Sequence, residues 1–309
     1  MARTELSEVI EKIRRQVLDS HRTEVNTLDG LMDDDEIDVT VPLTYALSDS
    51  LVAGSIISIG TEDMRVMAVD ASAKELTVIR GWGDSDVDAH DTDDVVWIQP
   101  RFTGQDIADA LRDEITSWGP SLYRVYGDTH AIGDSAQTLE LPVAYAGMYG
   151  FTAVARFVTQ PAGSDPTSSV TAWPRAEIRF QRGTTSWDAA TTSGLFVRFI
   201  EVTTASSVYL EAALPFDVAQ FDTPECDLVD DVGIPESCLD LAVLGAKLRL
   251  LVDAEAERSS RRVADDPRRS EEVPPQTALQ SANAYQLLYR RRMADEISRL
   301  HTLHPIRIT

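Results

Sequence analysis

Cysteine is nearly missing from this sequence: Cys226 and Cys238 are the only two. They lie 12 residues apart with no second Cys/His pair, so they fit no zinc pattern and are expected to be reduced thiols. Lysine is scarce too, with Lys12, Lys74 and Lys247 the only three among 28 basic residues, a bias that fits a GC-rich genome. No stretch approaches the roughly 18 apolar residues of a membrane span. The opening MARTELSEVIEKIRRQ is charged and lacks an apolar core, so no signal peptide is expected. Basic charge falls far short of acidic, 28 Lys and Arg against 51 Asp and Glu, for a net charge of −23. Phosphate binding needs clustered cations to displace counterions. This chain is therefore not expected to grip nucleic acid or an anionic membrane, although a negative wall lets a duplex slide past without sticking.

Catalytic motifs are missing as well. The sequence has no G-x-S-x-G, no phosphate-binding glycine loop and no nucleophile–base signature. Gly81 and Gly83 in Arg80-Gly81-Trp82-Gly83 read as a turn after a strand, with no helix behind it to hold phosphate. Of the five histidines, His301 and His304 share a helix face, but no carboxylate or Cys accompanies them at metalloenzyme spacing. Asp84, Asp86, Asp88, Asp91, Asp93 and Asp94 crowd one loop, and Asp84-Ser85-Asp86-Val87-Asp88 begins like a calcium loop. Ala89 stands where the tight turn wants Gly, and Val95 where a bidentate Glu should sit, so a solvated acidic loop is expected. No catalytic residue, cofactor or metal ligand is assigned.

What is present is a change of period along the chain. Leu6, Val9, Ile10, Ile13 and Val17 give an amphipathic helix over residues 4–19. Alternating runs at 37–41, 55–59, 64–69, 76–79 and 95–98 predict five short strands, a small barrel or compact sheet. Thr103 with Asp106 has a reciprocal capping arrangement and opens a helix over 103–118, stopped by Gly119-Pro120. Residues 120–222 alternate again, between Gly-, Pro-, Ser- and Thr-rich loops, as a β-sandwich or jelly roll does. Pro235 reads as a helix start, and Leu239–Val252 is apolar nearly all round, as in a buried helix. After a charged break at 258–275, a long amphipathic helix covers about 276–303, ended by His304-Pro305.

The four helices need one another to bury their faces. The expected fold class is therefore α+β multidomain: a helical core of N-terminal, middle and two C-terminal helices, with a small β-barrel and a β-sandwich inserted. The expected domains are a core of 1–36, 99–119 and 234–309, a barrel or sheet at 37–98, a jelly-roll-like sandwich at 120–222, and a linker at 223–233. Charge divides along the same line. Residues 234–309 hold 12 Lys/Arg against 11 Asp/Glu, which leaves 16 against 40 for residues 1–233. Arg290, Arg291 and Arg292 interrupt the last helix and read as an interchain salt-bridge face rather than a nucleic-acid contact.

Two stretches carry a family resemblance. One is Leu76-Thr77-Val78-Ile79-Arg80-Gly81-Trp82-Gly83, then His90, Val95-Val96-Trp97-Ile98, Pro100-Arg101-Phe102-Thr103 and Asp106-Ile107. It resembles the strand, RG turn, His-containing loop, strand and P-x-F helix start of tailed-phage virion proteins. The other is Ile234-Pro235-Glu236 with Asp240–Ala246, leading through Arg268–Pro275 to a long helix. It resembles the C-terminal region of phage head-to-tail adaptors, of a siphovirus-like kind. The resemblance covers roughly 1–118 and 234–309 and leaves 120–222 without support.

It implies a non-enzymatic structural protein of the virion neck, assembled in the host cytoplasm. Such an adaptor forms a homo-oligomeric, dodecameric ring below the portal protein and joins it to a tail-side stopper or tail terminator, with transient DNA passage and no membrane. The segment matching the portal-engaging tail is Pro305, Ile306, Arg307, Ile308 and Thr309, whose alternation suits strand addition to a partner's sheet edge. Two other readings compete. One is a minor tail or baseplate protein whose sandwich stacks sugar on Tyr145, Tyr149, Trp173, Trp187 and Tyr209. The other is a calcium-assisted hydrolase using the 84–94 carboxylates.

Overall fold

The computed structural model describes residues 4–17, 24–34, 38–83, 85–131, 138–158, 169–172, 178–182, 192–199, 207–223, 225–264 and 275–306. The chain runs through α1 (Leu6–Val17), β1 (Glu24–Thr27), β2 (Asp38–Pro42), β3 (Ile56–Ile59), β4 (Glu62–Asp70), β5 (Glu75–Ile79), β6 (Val95–Ile98) and α2 (Gly104–Ser117). It continues with β7 (Arg124–Ala131), β8 (Thr138–Pro142), β9 (Gly150–Val158), β10 (Ser169–Ala172), β11 (Ile178–Arg182), β12 (Thr192–Phe199) and β13 (Ser207–Leu214). The last elements are α3 (Leu239–Ala264) and α4 (Pro275–Leu303). Two compact units result: Met1–Ser117 with Asp217–Arg292, and Trp118–Phe216 with Met293–Thr309.

In the first unit six antiparallel strands form one sheet in the order β1-β6-β3-β4-β5-β2. The sheet curls until its two edges meet. Leu28, just past β1, bridges Leu43, just past β2, and the Asp29 and Thr44 amides donate to Pro42 and Thr27 carbonyls at 2.9 and 3.0 Å. Curling turns one face inward, and alternate residues fill it: Val41, Ile57, Ile59, Met64, Val66, Leu76, Val78, Val96 and Ile98. Five of the six strands lie where alternation predicts them. β1, Glu-Val-Asn-Thr, is too short and polar to carry that signal; it is held in place by pairing with β6, Val25 opposite Trp97.

The expected architecture, a helical core with β inserts, is not what this chain builds. The fold is mixed α/β, with the curled sheet and helices α1 to α3 in the same compact unit. Helices α1, α2 and α3 do pack on one another, but α1 and α2 are also bound to the sheet. Arg14 of α1 is fully buried and donates to Ser58 Oγ of β3 at 2.9 Å, while Trp97 Nε1 of β6 donates to Glu11 of α1 at 2.5 Å. Helix α2 starts against the same sheet, where the Gly104 amide donates to Ser58 Oγ at 3.1 Å and to Asp63 at 3.2 Å. Only a glycine fits there, since a Cβ on Gly104 would lie 2.4 Å from the Gly60 carbonyl oxygen. Period alone shows which face a helix buries, not what covers it.

The second unit contains two antiparallel sheets, β10-β9-β13-β7 and β11-β12-β8. Val154 of β9 and Val208, Leu210 and Ala212 of β13 share one core with Leu141 of β8 and Leu195 and Val197 of β12. Tyr145 is fully buried in that core and shares a 2.9 Å hydrogen bond with His130 Nε2. Among the described residues no helix is long and apolar enough to cross a membrane.

Candidate interaction surfaces

The RG turn and the His-containing loop meet at Glu62, which lies 18 residues before Arg80 and 28 before His90 in the sequence. This residue opens β4, and its carboxylate accepts five hydrogen bonds. Arg80 Nε donates at 2.9 Å and Arg80 Nη2 at 2.5 Å, the Gly81 and Asp88 amides at 3.2 Å each, and His90 Nε2 lies at 2.8 Å. Arg80 also donates to the carbonyl oxygens of Asp33 and Asp88. The side chains of Glu62 and Arg80 are fully buried and that of His90 nearly so. Burial pushes the Glu62 carboxyl up, but hydrogen bonds from His90 and Arg80, the Arg80 charge and the Asp88 amide hold it below its ordinary value. The arrangement ties three segments of loop to the sheet. Neither the Glu62 nor the Arg80 side chain has exposed surface, so the chemistry of the cluster is that of a buried structural ion pair.

The acidic loop behaves as a solvated turn. Asp86, Asp91 and Asp93 are exposed, and the Asp91 amide donates to Asp94 at 2.9 Å. Asp88 is partly buried, which raises its carboxyl above the ordinary aspartate value, with Glu225 adding to that rise. Asp84 lies outside the described residues. Among the described residues no group of three or more His, Cys, Asp or Glu could hold a metal ion. Cys226 and Cys238 are buried and form no disulfide.

Beside α2, a groove of about 1010 Å³ lies within the first unit, lined by residues of α2, α3 and α4. Glu114 of α2 forms its polar centre, accepting from Arg249 Nε at 2.7 Å and from the Tyr289 hydroxyl. Gly245 makes room for it, because a Cβ there would lie 2.3 Å from the Glu114 carboxyl carbon. Asp109, Asp113 and Arg290 also line the groove.

No protein-family model matches the chain, and no curated protein matches it at a significant level.

The expected partner-binding residues divide three ways. Arg290 and Arg291 are exposed on α4. Arg292 is engaged within its own chain: its guanidinium donates to both carboxylate oxygens of Asp240 at 3.0 Å and to the Ser237 carbonyl at 3.1 Å. Pro305 and Ile306 are partly exposed, while Arg307, Ile308 and Thr309 lie outside the described residues. The start of that tail is anchored in the second unit. Tyr123 donates to the His304 carbonyl at 2.5 Å, and His304 Nδ1 lies 3.0 Å from Glu211. Glu211 also accepts from Thr152 at 2.6 Å, and these partners hold its carboxyl below the ordinary value against the upward push of burial. Of the aromatic residues considered for sugar stacking, Tyr145 is inside the core and Trp173 and Trp187 lie outside the described residues.

Sequence reasoning missed Glu62, Glu114 and Glu211. Each is one acid in an acidic chain, and only its partners in the fold distinguish it. The signal that could have found Glu62 was the RG–His pair itself, since a buried Arg and His need a shared anion.

Proposed function

We propose that this chain is a non-catalytic structural protein of a tailed-phage particle, an adaptor that forms a ring below the portal and joins head to tail. The observation that carries this reading is the Glu62–Arg80–His90 cluster. Arg80, Gly81 and His90, three of the residues on which the virion-protein resemblance rests, converge on one carboxylate, where they hold a loop to a sheet and are spent on structure rather than on substrate. The charge distribution supports it as well. An acidic body repeated around an axis gives a negative surround through which DNA passes without adhering. The tail supports it a third way: its root at His304 is anchored, and the apolar residues Ile306 and Ile308 alternate as a strand-adding segment does.

The test is removal of residues 305–309 followed by binding to purified portal rings. Deletion is expected to leave the circular dichroism spectrum and melting temperature unchanged while abolishing portal docking. Normal docking by the truncated protein would refute the assignment of the tail.

A further inference from the structure

Helix α4 leaves an apolar stripe uncovered. All six residues from 283 to 288 are exposed, and six consecutive helical positions span more than one full turn. Leu287 is 73% exposed, Leu288 51% and Tyr285 45%. On this stretch Asn283, Gln286, Tyr289 and Arg290 face the groove of their own chain. Ala284, Leu287, Leu288 and Arg291 recur at i, i+3, i+4 and i+7, the spacing of one helix face, and that face is turned away from the groove. A helix without packing partners is marginal in water, and its stability comes from covering such a face.

We propose that this stripe docks on a second copy of the chain, against the acidic rim formed by Asp109 and Asp113 of α2. The inference rests on the ring-forming reading above and gives that ring its interface. Charge selects the occupant. The stripe ends in the exposed cation Arg291, and its cover must supply anions beside apolar surface. The chain's own first 233 residues carry 40 acidic against 16 basic groups. Asp109 and Asp113 lie at i, i+4 on one face of α2, are exposed, and line a groove whose lining also includes the apolar Ala110, Leu248 and Val252. A contact between a stripe on one copy and a different patch on the next is heterologous, the type that propagates head to tail and gives a ring when its rotation closes.

The test uses the full chain in native mass spectrometry and sedimentation over a concentration series. Wild type is expected to assemble. L287E/L288E is expected to need at least about tenfold more protein to do so, with an unchanged circular dichroism spectrum. R291E and D113R are each expected to weaken assembly, and mixing the two charge-reversed chains to restore it. If L287E/L288E assembles like wild type, or the mixture fails to recover, this interface is overturned while a ring seen for wild type leaves the connector reading standing. A wild-type chain that stays monomeric, with the stripe protected only when another virion protein is added, overturns it in favour of a different partner. If the interface passes but the chain is absent from purified particles, the connector reading falls and the self-association stands.

Discussion

At the scale of single residues, the most consequential side chain is one that nothing in the periodicity singles out. Glu62 is buried with Arg80 and His90, and removing the carboxylate would strand a desolvated guanidinium. Breaking a buried pair from one side costs about 3–5 kcal/mol, far more than the pair contributes on balance. Glu62→Gln is therefore expected to lower unfolding free energy by about 3 kcal/mol in urea titrations; a loss below about 0.5 kcal/mol would contradict the role given to it. The same residue sets an acid limb. Its folded pKa lies below its ordinary value of 4.5, so between the two the unfolded chain binds more protons. Its contribution is complete above about pH 4.5 and is lost as pH falls through the lower, folded value. Asp63 acts in the opposite sense, because burial raises its carboxyl and acid relieves that penalty. Comparing wild type with Glu62→Gln across that range isolates the Glu62 part, and the variant should show the shallower acid limb.

At the scale of elements, starts and stops were legible where a local device marks them. Thr103 and Asp106 cap α2 reciprocally, the Thr103 amide donating to the Asp106 carboxylate at 2.9 Å and the Asp106 amide to Thr103 Oγ1 at 3.2 Å. Residues i, i+3 and i+4 gave α1 its buried Leu6, Val9, Ile10 and Ile13 for the same reason. A small barrel was one of the two expectations for these strands, but the contact that closes the sheet was not legible, because it depends on Leu28 and Leu43 meeting across a whole circuit of strands. Nor was the seat of α2 on the sheet, which depends on the missing Cβ of Gly104. Gly104→Ala is expected to cost about 1–3 kcal/mol through the clash with Gly60. Thr103→Ala should cost about 1 kcal/mol through loss of the cap together with the Thr103 hydrogen bond to Asp63. Thermal unfolding of the two variants separates the effects, and equal losses would mean that Gly104 has room to relax.

At the scale of the whole molecule, composition was informative about what the chain avoids and silent about how it assembles. The acidic excess of residues 1–233 is visible in the sequence, as is the cluster of three arginines. That Arg292 is committed to Asp240 while Arg290 and Arg291 are exposed depends on how α4 lies against α3, which no local pattern encodes. The fold class shows the same limit: four helices were evident, yet a curled sheet rather than a helical core receives α1 and α2. Function at this scale is a statement about place. The most direct measurement is an electron cryo-microscopy reconstruction of the tailed particle with this chain located in the density. The account predicts a closed ring of copies between portal and tail, with α2 and α4 of adjacent copies in contact around an acidic channel. Density for the chain at the tail tip, or particles that contain none of it, would contradict the account.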